Sequence, residues 1–501
     1  MPKVKEPKWL QKIHVPPWLV LVLAITFLIR IPSFFEPYSY GDEMIYLNLG
    51  EAIKRGMVLY RDIHDNKPPL LYFTAALAGN VFWFRAILAA WMAATTVLFW
   101  KLSRTLFPNL PAQAGNDQIV GVAVSVFAIL TTIPLLEGQT SNAELFMIGP
   151  IIASFYILLS KKLTPLNLVS AGFLISISTL YKVPAFFDIG AIVFLWFIGL
   201  KLKKREIVNF GKHSALLLAG FLTPILLTII WYYLRGAFGQ YLVAAFLQNV
   251  GYLSSFRPED KVDPFLVRNA PLLIRGAIVL VSLGVLYIFR KKLSKQFIFA
   301  SAWLLFALFA ATLSERPYPH YMIQVVPAAS LLIGLLVAAQ SLEQSLSILP
   351  LFLILVAAVR FQFWYYPTVS YYQRFISFIS GQTSKAQYFD AFDGNVNRNY
   401  EIAKYLVASS KKNDPVFVWG DSPAVYALSH RLPPIKYVAT YHINDFSSPE
   451  EVVSGLRAEP PEFVVILPNS PDFPLLHMFL DDGYFRIEKI NGAQIWKHIG
   501  S

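Results

Sequence analysis

The sequence of 501 residues contains no cysteine, which excludes disulfide bonds and thiolate metal sites. Charged side chains are also scarce, at 15% of residues, whereas hydrophobic side chains make up 55% and the mean hydropathy is +0.50. Soluble enzymes rarely have this composition, and polytopic membrane proteins commonly do. The sequence lacks the GxxxxGK[ST] phosphate loop, the HExxH pair and the GxSxG turn. The missing phosphate loop argues against an ATP-driven pump.

The net charge of +12 does not indicate a nucleic-acid partner. Much of the basic charge lies in short loops between apolar runs, where Lys and Arg act as orientation signals for membrane helices. We therefore expect the lipid bilayer as a partner and no nucleic acid.

The apolar runs predict about eleven membrane-spanning helices by the length rule. They lie at 17–34, 82–104, 119–135, 144–160, 166–181, 185–200, 214–234, 271–289, 296–313, 320–340 and 347–362. The additional run 68–80 is short and begins with Pro68-Pro69, so we expect an interfacial or re-entrant helix there.

The positive-inside rule selects one topology. If 68–80 does not cross and the short basic N-terminus is cytoplasmic, four basic clusters fall inside; if it crosses, all four fall outside. The clusters are Lys101 and Arg104, Lys161 and Lys162, 201–205, and 290–295. The first topology is predicted, with an external first loop at 35–80 and an external loop at 235–270.

The composition changes after residue 366, with shorter apolar runs and more Asp, Asn and Pro. We therefore divide the chain into a transmembrane domain, 1–365, and a small extracytoplasmic α/β domain, 366–501. Strands are predicted at 415–419, 463–467 and 495–499, and helices at 400–410 and 449–456.

The acid pair Asp42-Glu43 follows the first apolar segment and is the first candidate site. An ionisable residue at the edge of a membrane helix is expensive to place and indicates a function. A carboxylate there can act as general base toward a hydroxyl, with a pKa set by burial and neighbours. The alternative is a solvated acid pair in a loop, which spacing alone does not exclude.

Basic residues on the predicted external side are candidates for binding phosphate. Lys67 directly precedes Pro68 and Pro69. Its ammonium could bind a phosphate as a point charge, or it could snorkel at a helix end. Lys182 lies between two apolar runs that are joined by almost no loop. It could bind a lipid phosphate, snorkel to the interface or pair with Asp188. Arg316 suits bidentate phosphate binding. Arg85 opens the second span, where pairing with a loop acid is as reasonable as a donor-binding role.

Two further residues have both structural and functional interpretations. Glu144 stands near a helix N-terminus, where the dipole favours an acid, but it could also orient the acceptor or hold a cation. His320 could donate to a phosphate or ligate a metal, although one histidine with scattered acids is a weak metal signal.

Together these motifs resemble the GT-C glycosyltransferases. Asp42-Glu43 with Tyr46, the turn Tyr60-Arg61-Asp62, and Asp65-Asn66-Lys67-Pro68-Pro69 are similar to the first external loop of relatives of protein O-mannosyltransferases and of the lipid A aminoarabinose transferase. Lys182-Val183-Pro184 and the segment from Arg316 to Pro327 are similar to later motifs of the group. The resemblance covers most of residues 20–330.

The resemblance implies an inverting membrane enzyme that moves a hexosyl or pentosyl group from a polyprenyl-phosphate donor to a protein, lipid or polymer acceptor on the external face. It implies three sets of site residues. The catalytic set is Asp42, Glu43 and Glu144; the donor-phosphate set is Lys67, Lys182, Arg316, His320, Tyr321 and Arg85; the acceptor or sugar pocket is Tyr46, Tyr60 and Asn66.

The cofactor expectation departs from the family pattern at one position. The aminoarabinose enzymes carry an acid directly before the Lys-Pro and use it with a histidine to hold a metal. Here that position is Asn66, so we predict no metal, although a divalent ion is possible in principle, and no cofactor is required. A transporter or flippase of lipid-linked sugars is the alternative function, but such proteins more often show polar or Gly/Pro breaks within spans and an inverted repeat.

Overall fold

The computed structural model describes residues 15–108, 116–201, 203–251, 264–339 and 341–500. The basic N-terminal segment, predicted to be cytoplasmic, lies outside the described residues, as do 252–263 of the predicted external loop 235–270.

The part of the chain before residue 366 is helical. Its α-helices are α1 Pro17–Arg30, α2 Gly41–Lys54, α3 Leu70–Ala78, α4 Val81–Leu106, α5 Asn116–Leu130, α6 Ala143–Ser160, α7 Pro165–Tyr181, α8 Ile189–Ile198, α9 Lys204–Leu234, α10 Phe238–Leu242, α11 Gln248–Gly251, α12 Phe265–Arg268, α13 Ala270–Phe289, α14 Lys295–Ala311, α15 Val326–Ala338, α16 Leu342–Leu346 and α17 Ile348–Arg360. In the described residues, 3₁₀ segments join them at Ile31–Phe35, Pro134–Leu136, Val183–Asp188 and Pro319–Gln324, and a π-helical segment follows α10 at Val243–Leu247.

Each predicted span coincides with one or more of these helices. Among the described residues, six helical segments are long and apolar enough to cross a membrane by length and composition. They are Pro17–Phe35, Val81–Leu106, Ala143–Ser160, Lys204–Leu234, Ala270–Phe289 and Leu342–Arg360. The other predicted spans contain shorter apolar helices, and Phe238–Leu247 is an additional one that the sequence analysis did not separate from its loop.

Small residues let the bundle helices approach closely, as is usual in membrane proteins. A Cβ added at Gly172 of α7 would lie 2.0 Å from the Leu217 carbonyl oxygen of α9, and one added at Gly220 of α9 would lie 2.1 Å from the Val169 carbonyl oxygen of α7. The backbones therefore touch at this crossing, and a side chain at either glycine would push the two helices apart.

The segment 68–80 forms the nine-residue helix α3, which does not span the bundle. At 1.5 Å per residue it is roughly 14 Å long, about half the thickness of a bilayer core. It ends at Gly79, whose φ of 72° is left-handed and suits glycine. A Cβ at Gly50 of α2 would be 2.6 Å from the Ala76 nitrogen of α3, so these two helices pack backbone to backbone.

A buried ion cluster joins the beginning of α4 to α2 and to the end of the first span. Arg85 is fully buried and donates to both carboxylate oxygens of Glu43, with Nη2–Oε2 at 2.5 Å and Nε–Oε1 at 3.1 Å. Its Nη1 lies 3.0 Å from Glu36 and 2.6 Å from the Ser33 carbonyl oxygen. The Ser141 backbone N–H also donates to Glu43, at 2.7 Å. Arg85 therefore takes the alternative role given above, pairing with loop acids.

The C-terminal part forms an α/β unit. Its helices are α18 Thr368–Ile379, α19 Lys385–Asp390, α20 Val396–Ser409, α21 Ala424–Ser429, α22 Thr440–Phe446, α23 Pro449–Ala458 and α24 Pro474–Gly483, and its strands are β1 Val416–Trp419, β2 Phe463–Ile466, β3 Tyr484–Ile490 and β4 Ala493–His498. The sheet order is β1-β2-β4-β3, with β1 parallel to β2 and the other pairs antiparallel. The three predicted strands and two predicted helices lie within a few residues of β1, β2, β4, α20 and α23, whereas β3 and the other five helices were not predicted.

Direct contacts hold the α/β unit against the loop at 35–80. The His64 backbone N–H donates to the Lys436 carbonyl oxygen at 2.7 Å, and the Asn48 amide donates to the Pro423 carbonyl oxygen at 2.9 Å. Arg55 Nη2 donates to the His430 carbonyl oxygen at 2.6 Å. The loop at 35–80 is thus packed between the bundle and the C-terminal unit.

We predict that Arg85→Met destabilises the protein by about 3–5 kcal/mol, because Glu43 and Glu36 would remain buried without a cation. Thermal unfolding of the purified protein in detergent measures this. Arg104→Met is the matched control, since Arg104 ends the same helix and pairs with Asp117 at the surface; an equal loss in both variants would contradict a special role for the buried cluster.

Candidate functional site

A cavity of about 830 Å³ lies between the loop at 35–80, the ends of several bundle helices and the C-terminal unit. Eight of the predicted site residues line it, which are Asp42, Asn66, Lys67, Glu144, Lys182, Arg316, His320 and Tyr321. Residues far apart in sequence therefore meet in one place.

Asp42 and Lys67 form one charge pair in this cavity. Asp42 lies in the first turn of α2, and Lys67 stands where Pro68 and Pro69 start α3, so the packing of α2 on α3 brings them together. The Lys67 ammonium is 3.5 Å from Asp42 Oδ2, and the Tyr46 hydroxyl donates to the same oxygen at 2.8 Å. One face of the carboxylate is thus fixed within the protein.

Lys182 and Glu144 form a second pair. Lys182 caps the C-terminus of α7, Glu144 lies in the first turn of α6, and the two form a direct salt bridge. The ammonium also lies 3.7 Å from the centre of the Tyr321 ring, a cation–π arrangement. Since His320 Nε2 is 3.8 Å from Glu144 Oε1, this histidine extends the charged cluster.

Glu137 is a site residue that the sequence analysis missed. It is buried, has a left-handed φ of 57°, and lies 2.5 Å from His320 Nδ1. Tyr40 OH and Asn142 Nδ2 donate to the same carboxylate oxygen, at 2.6 and 3.0 Å. With Nδ1 directed to Glu137, Nε2 of His320 is the nitrogen left toward Glu144. An acid directly after the apolar run Ile133-Pro134-Leu135-Leu136 was the available signal.

The C-terminal unit also reaches the cavity, through α22. His442 Nε2 lies 3.4 Å from Asp65 Oδ1, while the other Asp65 oxygen accepts from Tyr72 at 2.8 Å and is 3.9 Å from Lys67 Nζ. Tyr441 and Asp445 line the same wall. A seven-residue helix with one histidine offered no pattern that separates it from an ordinary surface turn.

Four predicted site residues do not line the cavity. Glu43 and Arg85 are fully buried and paired with each other, so we assign them a structural role instead of the catalytic and phosphate-binding roles expected above. Tyr46 and Tyr60 are also buried. Tyr46 holds Asp42, and the Tyr60 hydroxyl donates to the Lys67 carbonyl oxygen at 2.8 Å, so both position cavity residues and do not form a pocket.

Asn66 and Arg316 are the remaining polar members of the predicted set. The Asn66 backbone N–H donates to Asp65 at 2.7 Å, and its carbonyl oxygen accepts from Asn249 at 3.0 Å. Arg316 lines the cavity with an exposed side chain. Over the described ranges, no three His, Cys, Asp or Glu side chains are grouped as a metal site would require.

The charge balance makes Asp42 a strong acid. Burial raises the pKa of its carboxyl, but the charges of Lys67 and His320 and the hydrogen bond from Tyr46 outweigh burial and lower the pKa to about 2. Asp42 is therefore ionised throughout the physiological pH range, and the Lys67 charge is the main reason.

This architecture is the GT-C fold of membrane glycosyltransferases. ArnT from Cupriavidus metallidurans, a lipid A aminoarabinose transferase, bound to undecaprenyl phosphate, superposes with a TM-score of 0.56 over 96% of this chain and 97% of that chain, at 13% identity; its apo form gives 0.51 over the same shares and at the same identity. The oligosaccharyltransferase AglB from Archaeoglobus fulgidus, in complex with an inhibitory peptide and a dolichol-phosphate, gives 0.43 over 92% of this chain and 70% of that chain, also at 13% identity.

At such identities the likeness concerns the fold alone. No protein-family model matches the sequence, and no curated protein sequence matches it.

We predict that Lys67→Met raises the pKa of Asp42, because the cation that favours the carboxylate is removed. Infrared difference spectra against Asp42→Asn, recorded over a pH series, report the protonated carboxyl. In the wild type its band should emerge only as the pH falls toward about 2, and in Lys67→Met at higher pH. Lys54→Met, a change at an exposed lysine of the same loop, should titrate as the wild type; an unchanged Lys67→Met titration would contradict the pairing.

Proposed function

We propose that this protein is an inverting membrane glycosyltransferase that transfers a sugar from a polyprenyl-phosphate donor to an acceptor hydroxyl. The observation that carries the proposal is the presence, in one cavity, of the Asp42 carboxylate and the basic residues Lys67, Lys182, Arg316 and His320. A base next to several cations is what nucleophilic displacement of a phosphate leaving group requires.

The cationic side of the cavity binds the donor phosphate in this proposal. Lys67 and Lys182 are held by carboxylates in the absence of an anion, so they are already oriented when phosphate arrives. Phe187, Leu272 and Phe309 line the cavity too, and they provide an apolar surface for a prenyl chain. The undecaprenyl phosphate bound to ArnT, which shares the fold, supports a lipid phosphate as the carrier.

Asp42 then acts as the base. It takes the proton of the acceptor hydroxyl while the acceptor oxygen bonds to the anomeric carbon and the bond from that carbon to the phosphate oxygen breaks. The electron pair leaves with the lipid phosphate, whose charge the cations stabilise. A single displacement inverts the anomeric centre. Phosphate binding to Lys67 also draws that charge away from Asp42, which raises the basicity of the carboxylate when the donor is in place.

Glu144, Glu137 and Tyr321 act on the donor-binding side chains. Glu144 pairs with Lys182, Tyr321 places its ring against the same ammonium, and Glu137 fixes the ring of His320. In this assignment Glu144 is a positioning residue. Neither the donor chemistry nor the displacement requires a metal.

The basic loops support an orientation in which residues 1–365 form the transmembrane domain and the cavity and the C-terminal unit, 366–501, face the outside of the cell membrane. A hexosyl or pentosyl donor and a protein, lipid or polymer acceptor are all compatible with this chemistry.

We predict that Asp42→Asn lowers the transfer rate by about 10²–10⁴-fold, the contribution of a general base, with undecaprenyl phosphate affinity retained. Transfer from polyprenyl-phosphate sugars by the purified enzyme measures the rate. Asp62→Asn, a change of an acid in the same loop that does not line the cavity, is the control. Near wild-type turnover in Asp42→Asn would remove the base assignment, and lipid translocation in liposomes without any sugar transfer would favour a flippase.

We predict that Lys67→Met and Lys182→Met each weaken undecaprenyl phosphate binding by about 10–100-fold, the effect of losing one charge-assisted contact. Each change also leaves a carboxylate facing the phosphate, which adds repulsion. Fluorescence titration of the protein in nanodiscs gives the affinities, and Lys54→Met is the control. Unchanged affinity in both lysine variants would contradict the phosphate site.

A further inference from the structure

The cavity has a second wall that contains none of the basic residues assigned above to the donor phosphate. It is formed by the segment 361–367, which follows α17, and by α22. Its described members are Trp364, Tyr366, Tyr441, His442 and Asp445. They include no lysine or arginine, and burial lowers the pKa of His442 and so favours its neutral form. This wall therefore has no fixed cation with which to bind phosphate.

Three aromatic rings of this wall remain exposed although they line a cavity. The exposed fractions are 44% for Trp364, 39% for Tyr366 and 37% for Tyr441. Aromatic side chains combine a large apolar face with a polar edge, and leaving them in contact with water is unfavourable unless a ligand covers them.

The Trp364 ring is held in place by the surrounding chain. The Trp364 backbone N–H donates to the Pro317 carbonyl oxygen at 3.3 Å, and its ring meets Tyr318 edge to face at 5.2 Å. Burial and the Glu137 carboxylate both raise the pKa of the Tyr366 hydroxyl. A surface fixed before binding loses little entropy when a ligand covers it.

Asp42 lines the same cavity as these three rings. Its charge acts on Tyr366, and its charge and that of Lys67 both act on His442. An acceptor lying on the second wall is therefore close to the proposed base.

We propose that this second wall binds the acceptor, and that the acceptor presents a carbohydrate ring to Trp364, Tyr366 and Tyr441. This inference depends on the proposed function. The C–H face of a sugar ring stacks on exposed aromatic faces, and its hydroxyl groups donate to carboxylates such as Asp445. Tyr46 and Tyr60, which the sequence suggested as the sugar pocket, are buried and do not line this cavity.

The alternative acceptor classes fit this wall less well. A peptide bound by strand addition needs a free strand edge, and none of the described cavity-lining residues lies in β1–β4. A lipid acceptor needs an apolar path, and the described members of the second wall include no aliphatic or phenylalanine residue.

The test compares Trp364→Ala and Tyr441→Ala with Tyr365→Ala. Tyr365 is the neighbour of Trp364, is 67% exposed and does not line the cavity, so it is the matched control. Saturation-transfer NMR with a panel of neutral oligosaccharides probes the acceptor wall in nanodiscs, and undecaprenyl phosphate probes the donor side.

We expect at least one oligosaccharide to bind the wild type and the Tyr365→Ala variant. Its affinity should fall by roughly three- to tenfold in Trp364→Ala and in Tyr441→Ala, the effect of losing one aromatic stacking contact. Undecaprenyl phosphate affinity should be the same in all four proteins, which also shows that the variants are folded.

The inference is overturned if no oligosaccharide binds a wild type that does bind undecaprenyl phosphate, if the two ring variants bind sugar like the wild type, or if the same rings bind hydroxyl-bearing peptides instead. Failure of the proposed function is distinguishable, because the wild type would then fail to bind undecaprenyl phosphate or to transfer sugar at all.

Discussion

The buried pair of Arg85 and Glu43 is the interaction on which the cavity depends. It fixes the rotation of α2, because Glu43 must face Arg85 on α4. Adjacent residues on a helix point about 100° apart, so Asp42 is directed away from that pair and into the cavity. The acid pair thus has one structural and one cavity-facing member. A substitution at Arg85 that lets α2 rotate would therefore displace Asp42, although Asp42 itself is unchanged.

Three basic residues of the site are each paired with a carboxylate. Lys67 is matched by Asp42, Lys182 by Glu144 and His320 by Glu137. Unpaired charges would be expensive at the edge of a membrane. The same pairing holds the two lysines in place, so in the proposed function an incoming phosphate would replace a carboxylate without having to order flexible side chains.

The sequence predicted the parts of this structure that follow from simple periodicity and chain length. The spans, the short helix at 68–80 and the clustering of eight site residues come from hydropathy, prolines and the positive-inside rule. The sequence did not predict the distinct roles of Asp42 and Glu43. Adjacent acids on a helix differ only in the direction in which they point, and packing decides that direction. Glu137 was missed for the same reason: its role arises from a turn that meets His320 only in the folded chain.

The sequence analysis missed strand β3 for a different reason. Asn491-Gly492, with φ of 45° and 87°, forms the tight turn of the β3–β4 hairpin, and this dipeptide is the strongest short hairpin signal in a sequence. The strand before it was hidden because β3 is an edge strand with most of its side chains exposed, so it lacks the apolar alternation of a half-buried strand.

The C-terminal unit adds a constraint that the bundle alone lacks. Asp65 is buried and contacts Lys67 on one side and His442 on the other, so the position of Lys67 is tied to a helix nearly four hundred residues further along the chain. A backbone hydrogen bond from His64 to Lys436 holds the same junction together. The cavity is therefore complete only when α22 is docked.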